Sequence, residues 1–413
     1  MEQLIQRCAG IDVGQAESMV CVRVPDAVTG APAELIANYG TTTPDLLELV
    51  DWLRGLGVTD VAMESTGVYW KPIYYLLEDD FTVLLVNAAH IKHVPGRKTD
   101  TIDAAWIAQL LAHGLLTASF VPPPPVRELR DLTRYRKALI NEKTAQVNRI
   151  HKVLQDAGIK LTTYATDVMG VSGRAMMRAL IAGQSDSTAL AELAKGRMRT
   201  KIPDLRKALT GRFREHHGFL LKQMLDHVEA QEADIAALDE RIEAALDPFV
   251  GQLELLATIP GVDRRSAQVI LAEIGPDMSA FPTAGHLASW AGMCPGQRDS
   301  AGKHGSGKTR KGSKWLRGAL VQSARSASRS KGTYLSERYR QVMRRRGDAK
   351  AIVALGHEIL LAAYRVLVTA QPYTDPGPTA FSRLTAQRLT RQAVRRLQDL
   401  GYQVTIEPRP DAT

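Results

Sequence analysis

Four carboxylates in the first quarter of the chain combine residue types and spacing that suit metal-assisted chemistry on phosphates. Asp12 and Glu64 each lie in an apolar, strand-like run, where a charge is costly unless a cation or hydrogen bonds compensate it. Asp100 and Asp103 are three residues apart, so a helix would carry both on one face. Because converging carboxylates can hold divalent metal ions that work on phosphates, these four residues predict phosphodiester chemistry on nucleic acid.

A basic segment, residues 298–350, is the second region whose residues could take part in chemistry. It contains sixteen Lys and Arg residues against three Asp and Glu residues, which exceeds the net surplus of +9 for the whole chain. Lys and Arg in a Gly-rich loop can follow a phosphate backbone without reading bases. We therefore predict nucleic-acid contacts by Arg298, Lys303, Lys308, Arg310, Lys311, Lys314 and Arg317.

Part of this segment, Gly302–Thr309, fits the P-loop pattern G-x-x-x-x-G-K-[ST]. No apolar strand precedes it, so we interpret it as a flexible phosphate-contacting loop and not as a nucleotide site. Three serines lie nearby, Ser300, Ser306 and Ser313. A serine assisted by concentrated positive charge could attack a phosphate, but the residues alone do not choose among the three.

Length and composition favour an intracellular protein of several domains with a polyanionic partner. A chain of 413 residues has room for two or three domains. Its three scattered cysteines exclude a disulfide framework and a Cys-x-x-Cys zinc site, and His90, His93 and His113 form no convincing zinc set. Neither a signal-peptide pattern nor an 18-residue apolar run is present, so we expect a cytoplasmic protein without a membrane partner.

The acids need a scaffold, and the pattern of residues 8–86 predicts one. Alternating apolar residues predict a hairpin over 8–24 and a third strand near 35–39, and Thr43 looks like the N-cap of a helix with Pro44 in its first turn. Strand 60–63, helix 69–77 and strand 81–86 follow. This order of elements is ribonuclease H-like: three strands, then a helix, a strand, a helix and a strand. Asp12 then lies on the first strand, Glu64 ends the fourth, and Asp100 and Asp103 begin a helix to about residue 111.

The rest of the chain reads as helical, which makes the predicted fold class α/β plus α. Four prolines, 122–125, mark the first domain boundary. The 3-4 apolar spacing over 218–245 predicts a coiled-coil arm, or alternatively an ordinary amphipathic core helix. Residues 255–274 read as a helix-hairpin-helix-like element or a structural turn. The predicted domains are 1–121, a helical and coiled-coil region 126–250, a third domain 251–370, and a basic tail 371–413.

Short motifs in the right order connect the chain to a known family. They resemble the DEDD transposases of bacterial insertion sequences, the insertion-sequence one-ten family, from about residue 8 to about residue 365. The motifs that carry the resemblance are 9–14, 63–67, 96–104, 287–296, 300–303 and 311–317.

The resemblance implies an N-terminal RuvC-like domain, a helical coiled-coil middle and a transposase domain with a nucleophilic serine. Asp12, Glu64, Asp100 and Asp103 match the four acids that bind Mg²⁺, and Ser300 matches the nucleophile, which would form a covalent phosphoserine. The family also implies guidance by a non-coding bridge RNA. The expected partners are duplex DNA, that RNA, and further copies of the chain in a dimer or tetramer assembled partly through the 218–245 helix.

Three other functions remain open from the residues. A Holliday-junction resolvase or ribonuclease H-like nuclease would use the same acids with metal-activated water. An actin-like or sugar-kinase ATPase would use Asp12-Val13-Gly14 as a phosphate loop, and would leave Asp100 and Asp103 without a task. A non-catalytic nucleic-acid-binding protein would need only the basic segment.

Overall fold

The computed structural model describes residues 3–26, 28–87, 100–296 and 309–406, except for the side chains of 100–102 and 381–389. The chain divides into two compact units, residues 1–121 and residues 122–413. The division of the second unit into three further domains stays a prediction. The chain thus combines a mixed α/β unit with a helical one.

The N-terminal unit is built on one five-stranded sheet in the order β3-β2-β1-β4-β5. Strand β2 is antiparallel to both of its neighbours, β1 and β3, whereas β4 and β5 run parallel to β1. The strands are β1 Cys8–Val13, β2 Glu17–Pro25, β3 Pro32–Gly40, β4 Asp60–Glu64 and β5 Thr82–Val86. The predicted sequence of three strands, helix, strand, helix, strand is confirmed.

In the described part of this unit, three helices cover the sheet: α1 Thr43–Gly55, α2 Trp70–Leu77 and α3 Asp100–Ala112. Because side chains alternate along a strand, Ile11 and Met63 face the core shared with α1 and α2, whereas Cys8 and Ala62 face α3. The N-cap of α1 is Thr42, so the prediction of Thr43 was wrong by one residue; Thr42 is extended, and Pro44 is tolerated in the first turn because no helical bond needs its N–H.

The C-terminal unit starts with the long helix α4, Pro124–Asp156, which begins at the third of the four prolines. Short helices follow, and a second long helix then packs lengthwise against α4. These elements are α5 Leu161–Tyr164, α6 Val171–Ile181, α7 Ser187–Glu192, the 3-10 turn Gly196–Lys201, α8 Ile202–Ala208 and α9 Glu215–Leu246. The short helices close one end of the long pair around a core that includes Leu154, Met176 and Leu221.

Helix α9 is the segment for which a coiled-coil arm was predicted. Leu221, Val228, Ile235 and Ile242 are buried, and so is Gln231 at the seam position that interrupts the pattern. The apolar face lies against α4 of the same chain, so packing within the chain accounts for it. A coiled coil between chains stays a prediction.

The remaining helices include one long apolar helix, Asp348–Thr369, against which most of the others pack. They are α10 Val250–Ala257, α11 Arg264–Ile274, α12 Ala284–Trp290, α13 Lys314–Ala327, α14 Tyr334–Arg346, α15 Asp348–Thr369 and α16 Ala380–Asp399. Among the described helices, α15 alone is long and apolar enough to cross a membrane, but it includes Glu358 and Arg365 and buries Leu355 and Ile359. These features are those of a core helix.

Helices α10 and α11 form the predicted helical hairpin. Asp263 accepts a hydrogen bond from the Ser266 N–H and caps α11. Gly261 has a φ of +86°, and a Cβ on it would lie 2.4 Å from the Ser323 carbonyl oxygen. The turn therefore packs closely against α13, and this contact explains the glycine structurally.

Candidate functional site

Two of the predicted acids occupy neighbouring positions on parallel strands. Strand β1 pairs with β4 so that Ile11 lies opposite Met63, which makes Asp12 and Glu64 the next pair along the two strands. Paired strands lie about 4.8 Å apart, and residues in register point to the same face. Both carboxylates are half-buried. Asp12 and Glu64 therefore lie side by side where these two strands end.

The face that carries this pair is the one covered by α3. Asp12 and Gly10 are two residues apart on β1 and so point to the same side of the sheet. A Cβ on Gly10 would lie 2.3 Å from the Ala104 carbonyl oxygen and 2.4 Å from the Ala108 nitrogen. The glycine thus allows α3 to lie directly on β1, close to Asp12.

Helix α3 brings the third acid to the same layer. Asp103 is half-buried and lies one turn before Ile107, which packs against the sheet. Asp100 is the first residue of the helix, and its side chain lies outside the described part of the structure. We call Asp12, Glu64 and Asp103, with the α3 side of the sheet that carries them, the acid face.

The acid face suits a divalent cation by its donor chemistry, since hard cations prefer several carboxylate oxygens. Among the described side chains, however, the carboxylates of Asp12, Glu64 and Asp103 do not all have ligand atoms within 4.8 Å of one another. A metal ion bound by all three requires these side chains to turn towards one another.

One other group among the described residues has closely spaced potential ligands, namely Asp156, His216 and His217. The Arg214 N–H donates to Nδ1 of His217 over 3.0 Å, which leaves the ring proton on Nε2. Nε2 lies 2.9 Å from Asp156 Oδ2 and donates to it. Because a metal-bound imidazole needs a free lone pair on one nitrogen, this arrangement fits a cap on helix α9 better than a metal site.

We call residues 297–308, for which the sequence predicts a basic loop, the basic loop. Two short segments flank it, residues 292–296 and 309–313, which we call the loop stems. Pro295 and Thr309 form an antiparallel bridge. A Cβ on Gly312 would lie 2.2 Å from the Ala291 carbonyl oxygen, so the stems pack backbone to backbone. Arg317 Nη2 donates to the Gly292 carbonyl over 2.7 Å and also to the Thr309 hydroxyl. Arg317, predicted to contact nucleic acid, thus holds the stems together.

The predicted residues within the loop, Arg298, Ser300, Lys303, Ser306 and Lys308, lie outside the described residues, as do His90 and His93. Of the flanking cations, Arg310, Lys311 and Lys314 are exposed, and the Lys314 ammonium lies 4.8 Å from the centre of the Trp315 ring. Exposed cations beside an anchored loop base can contact a phosphate backbone.

Ser313 is fully engaged by neighbouring groups. Its hydroxyl donates to Glu273 Oε2 over 2.8 Å and accepts from the Leu316 N–H over 3.2 Å, as the N-cap of α13. A serine with these two bonds is a structural residue here and not a free nucleophile.

Glu273 is a residue that the sequence reasoning missed. Its side chain is 1% exposed, and Arg134 of α4 binds both of its carboxylate oxygens, at 2.7 and 2.8 Å. The signal was a single charge in the otherwise apolar run Ile270–Ile274. Together with Ser313, this pair fastens the second loop stem to α4 and α11.

Comparison with known proteins bears on both units. Residues 9–159 match a family model described as a transposase, of the DEDD type and named for IS110. Residues 253–340 match the model described as "Transposase IS116/IS110/IS902 family". The first match contains Asp12, Glu64, Asp100 and Asp103, and the second contains the basic loop and both stems.

Similar proteins have names of the same kind. The "Probable family 20 transposase" of Pseudomonas aeruginosa is 27% identical over 68% of this chain and 74% of its own length. The "Transposase for insertion sequence element IS1111A" of Coxiella burnetii is 25% identical over 79% of this chain and 82% of its own. The "Pilin gene-inverting protein" of Moraxella bovis is 34% identical over 29% of this chain and 38% of its own. With both family models matched in order, the chain belongs to the IS110 family of DNA transposases.

Proposed function

We propose that this transposase cuts and rejoins DNA through a covalent phosphoserine at Ser300, with Mg²⁺ at Asp12, Glu64, Asp100 and Asp103, and with guidance by a non-coding bridge RNA. The observation that supports the proposal most directly is the acid face, where strand register and the close approach of α3 bring three carboxylates to one layer. The anchored stems of the basic loop support it independently.

The N-terminal unit would position the scissile phosphate. Its strand order β3-β2-β1-β4-β5, with three antiparallel strands and two parallel ones, agrees with the RuvC-like, ribonuclease H-like fold that we propose for it. When bound by the four acids, Mg²⁺ supplies the positive charge that offsets charge developing on the phosphate. The acids themselves orient the DNA strand, because the sheet and α3 hold the backbone of each acidic residue in place.

The serine would supply the nucleophile. The Ser300 oxygen forms a bond to phosphorus and loses its proton to a nearby base, while the bond from phosphorus to the leaving strand oxygen breaks and that oxygen takes up a proton. Rejoining reverses these steps with the hydroxyl end of a second strand. Because the phosphoserine ester keeps the energy of the broken phosphodiester, no nucleotide hydrolysis is needed, which agrees with a P-loop-like sequence that lacks a preceding strand.

The proposed partners are duplex DNA, the bridge RNA and further copies of this chain in a dimer or tetramer. The exposed side chains of Arg310, Lys311 and Lys314 would follow the phosphate backbone beside the reacting serine. The inverting protein of Moraxella bovis, by its name, rearranges a gene, which supports recombination rather than simple cleavage.

The test is to trap the covalent adduct. Purified protein is incubated with Mg²⁺, DNA carrying the ends of the element and RNA transcribed from its non-coding flank, and is then resolved on a denaturing gel. We expect a protein–DNA adduct that Ser300→Ala abolishes and that Ser306→Ala and Ser313→Ala retain. Adducts in Ser300→Ala together with none in Ser306→Ala would reassign the nucleophile. Cleaved DNA without any adduct would favour the nuclease that uses metal-activated water.

A further inference from the structure

A cavity of about 150 Å³ opens between helices α4, α11 and α13 of the C-terminal unit. Four basic side chains line it, Arg134, Arg136, Lys137 and Arg265, and no acidic side chain does. Trp315 and Gly318 of α13 form part of the opposite wall. The cavity therefore combines concentrated positive charge with an aromatic side chain.

The charges around this cavity are incompletely balanced. Arg136 is 2% exposed and donates to Asp239 Oδ1 over 2.7 Å, while Arg265 binds the other oxygen of the same carboxylate at 2.6 Å. Two guanidinium groups thus share one carboxylate, and Arg134 is matched by Glu273. Lys137, whose side chain is exposed, adds a fourth positive charge to a group that contains two carboxylates, Asp239 and Glu273. An anion in the cavity would offset this surplus.

Gly318 is the second and independent observation. It lies in the interior of α13, where glycine is unfavourable relative to alanine. A Cβ on this residue would meet no atom within 4 Å, so packing within the chain does not require glycine. A glycine that lines a cavity and touches nothing leaves room for a ligand to approach the helix backbone.

We propose that this cavity binds one phosphodiester group of a nucleic-acid strand. Pockets that enclose a whole small molecule usually measure about 300–1,000 Å³, so the cavity accepts a phosphate rather than an entire nucleotide. The phosphate lies against Lys137 and Arg265, and the neighbouring sugar or base contacts Trp315 in the α13 wall. The proposal rests on the proposed function only in requiring that the protein binds nucleic acid.

The test measures how tightly the full-length protein binds duplex DNA and single-stranded RNA of the same sequence. The protein carries Ser300→Ala and Mg²⁺ is left out, so that no strand reacts. In this background Lys137→Gln should weaken binding about tenfold at low salt, the factor that one charged hydrogen bond contributes. It should also reduce the slope of log K against log salt by about one for the strand that occupies the cavity. The matched control is Lys152→Gln, an exposed lysine about 22 Å further along α4.

Gly318→Ala separates shape from charge. The added methyl group should stabilise the helix and raise the unfolding midpoint, yet weaken binding of the same strand, whereas Gly251→Ala, at another helical glycine with open space, should leave binding unchanged. Weaker binding of DNA, of RNA or of both supports the proposal. Weaker binding of only one of them identifies the strand that occupies the cavity. Wild-type affinity of Gly318→Ala for both strands, or equal salt slopes for Lys137→Gln and Lys152→Gln, overturns it. Neither result depends on whether Ser300 forms an adduct.

Discussion

The acid face and the loop stems hold their functional residues in different ways. Strand register and one close helix contact position the backbone of the acid face. The stems are tied by side chains, through Arg317 across their base and through Ser313, Glu273 and Arg134 to the neighbouring helices. Backbone packing therefore sets the positions of the proposed metal-binding acids, whereas a polar network fixes where the basic loop starts and ends.

The largest expected effect is on the acid face. Asp12→Asn should reduce strand transfer about a thousandfold, because it removes a carboxylate from the proposed cation site without changing the shape of β1. Asp60→Asn, at the other end of β4, is the matched control and should retain activity. A second measurement is the rise of the unfolding midpoint with Mg²⁺, which Asp12→Asn should diminish. Full activity of Asp12→Asn would contradict the metal role.

The next largest effect concerns the polar network of the loop stem. Glu273→Gln should destabilise the protein by about 1.5–3 kcal/mol, because the charged hydrogen bonds between the buried carboxylate and the partly exposed Arg134 are lost. Ser313→Ala should cost about 1 kcal/mol through loss of the N-cap. Urea unfolding measures both, with the exposed Glu254→Gln as the control. Equal stabilities of Glu273→Gln and Glu254→Gln would show that the network does not anchor the stem.

The backbone contact of the acid face should be sensitive to a single methyl group. Gly10→Ala should destabilise the protein by about 1–3 kcal/mol, because the new Cβ must push α3 away from β1. Gly55→Ala, near the end of α1 with no atom within 4 Å, should be neutral or slightly stabilising. Thermal unfolding and activity should fall together in Gly10→Ala. A loss of stability without any loss of activity would show that the contact between α3 and β1 does not determine where the acids lie.

The smallest effect compares cysteines of the two units. Burial raises the pKa of the Cys8 and Cys21 thiols to about 11, whereas Cys294 is half-buried within the first loop stem. At pH 8, native protein should therefore react with a thiol reagent at Cys294 first, as mass spectrometry of the labelled peptides can check. Rapid labelling of Cys8 or Cys21 in the native protein would contradict their placement under α3.

The same raised pKa values affect stability at high pH. The folded state keeps the Cys8 and Cys21 thiols protonated more strongly than the unfolded state does, where the ordinary value is 9.0. The contribution of the two protonated thiols to the free energy of unfolding is therefore complete below pH 9, and it is lost as the pH rises towards 11. This loss should persist in Cys294→Ala, since neither buried thiol is changed.

Local patterns were sufficient for the scaffold of the acid face. Alternating β-branched residues and helix signals predicted the strands and helices that the structure describes from β1 to α3, and with them the positions of Asp12 and Glu64 on their strands. The cap of α1 was misplaced by one residue, because Thr42 and Thr43 are equally good capping residues and only the backbone conformation separates them. Element type follows from periodicity, whereas element ends depend on single residues.

Contacts between distant residues could not be inferred in this way. Glu273 and Arg134 are 139 residues apart, and Ser313 was one of three serines with similar local surroundings. Nothing near any of them in the chain marks a partner on another helix. Arg317 likewise looked like a phosphate contact until its carbonyl partner, Gly292, was known.

Residue types and their order were enough to predict the family and the basic character of the loop, and they are the basis on which metal binding by the four acids is proposed, because metal binding and phosphate binding depend on donor type and charge. Folding in three dimensions decided which carboxylates share a layer, which serine is engaged as a cap, and that four cations line one cavity. The physical reason is that helix–sheet and helix–helix packing joins residues far apart in the chain, and no local periodicity encodes those pairings.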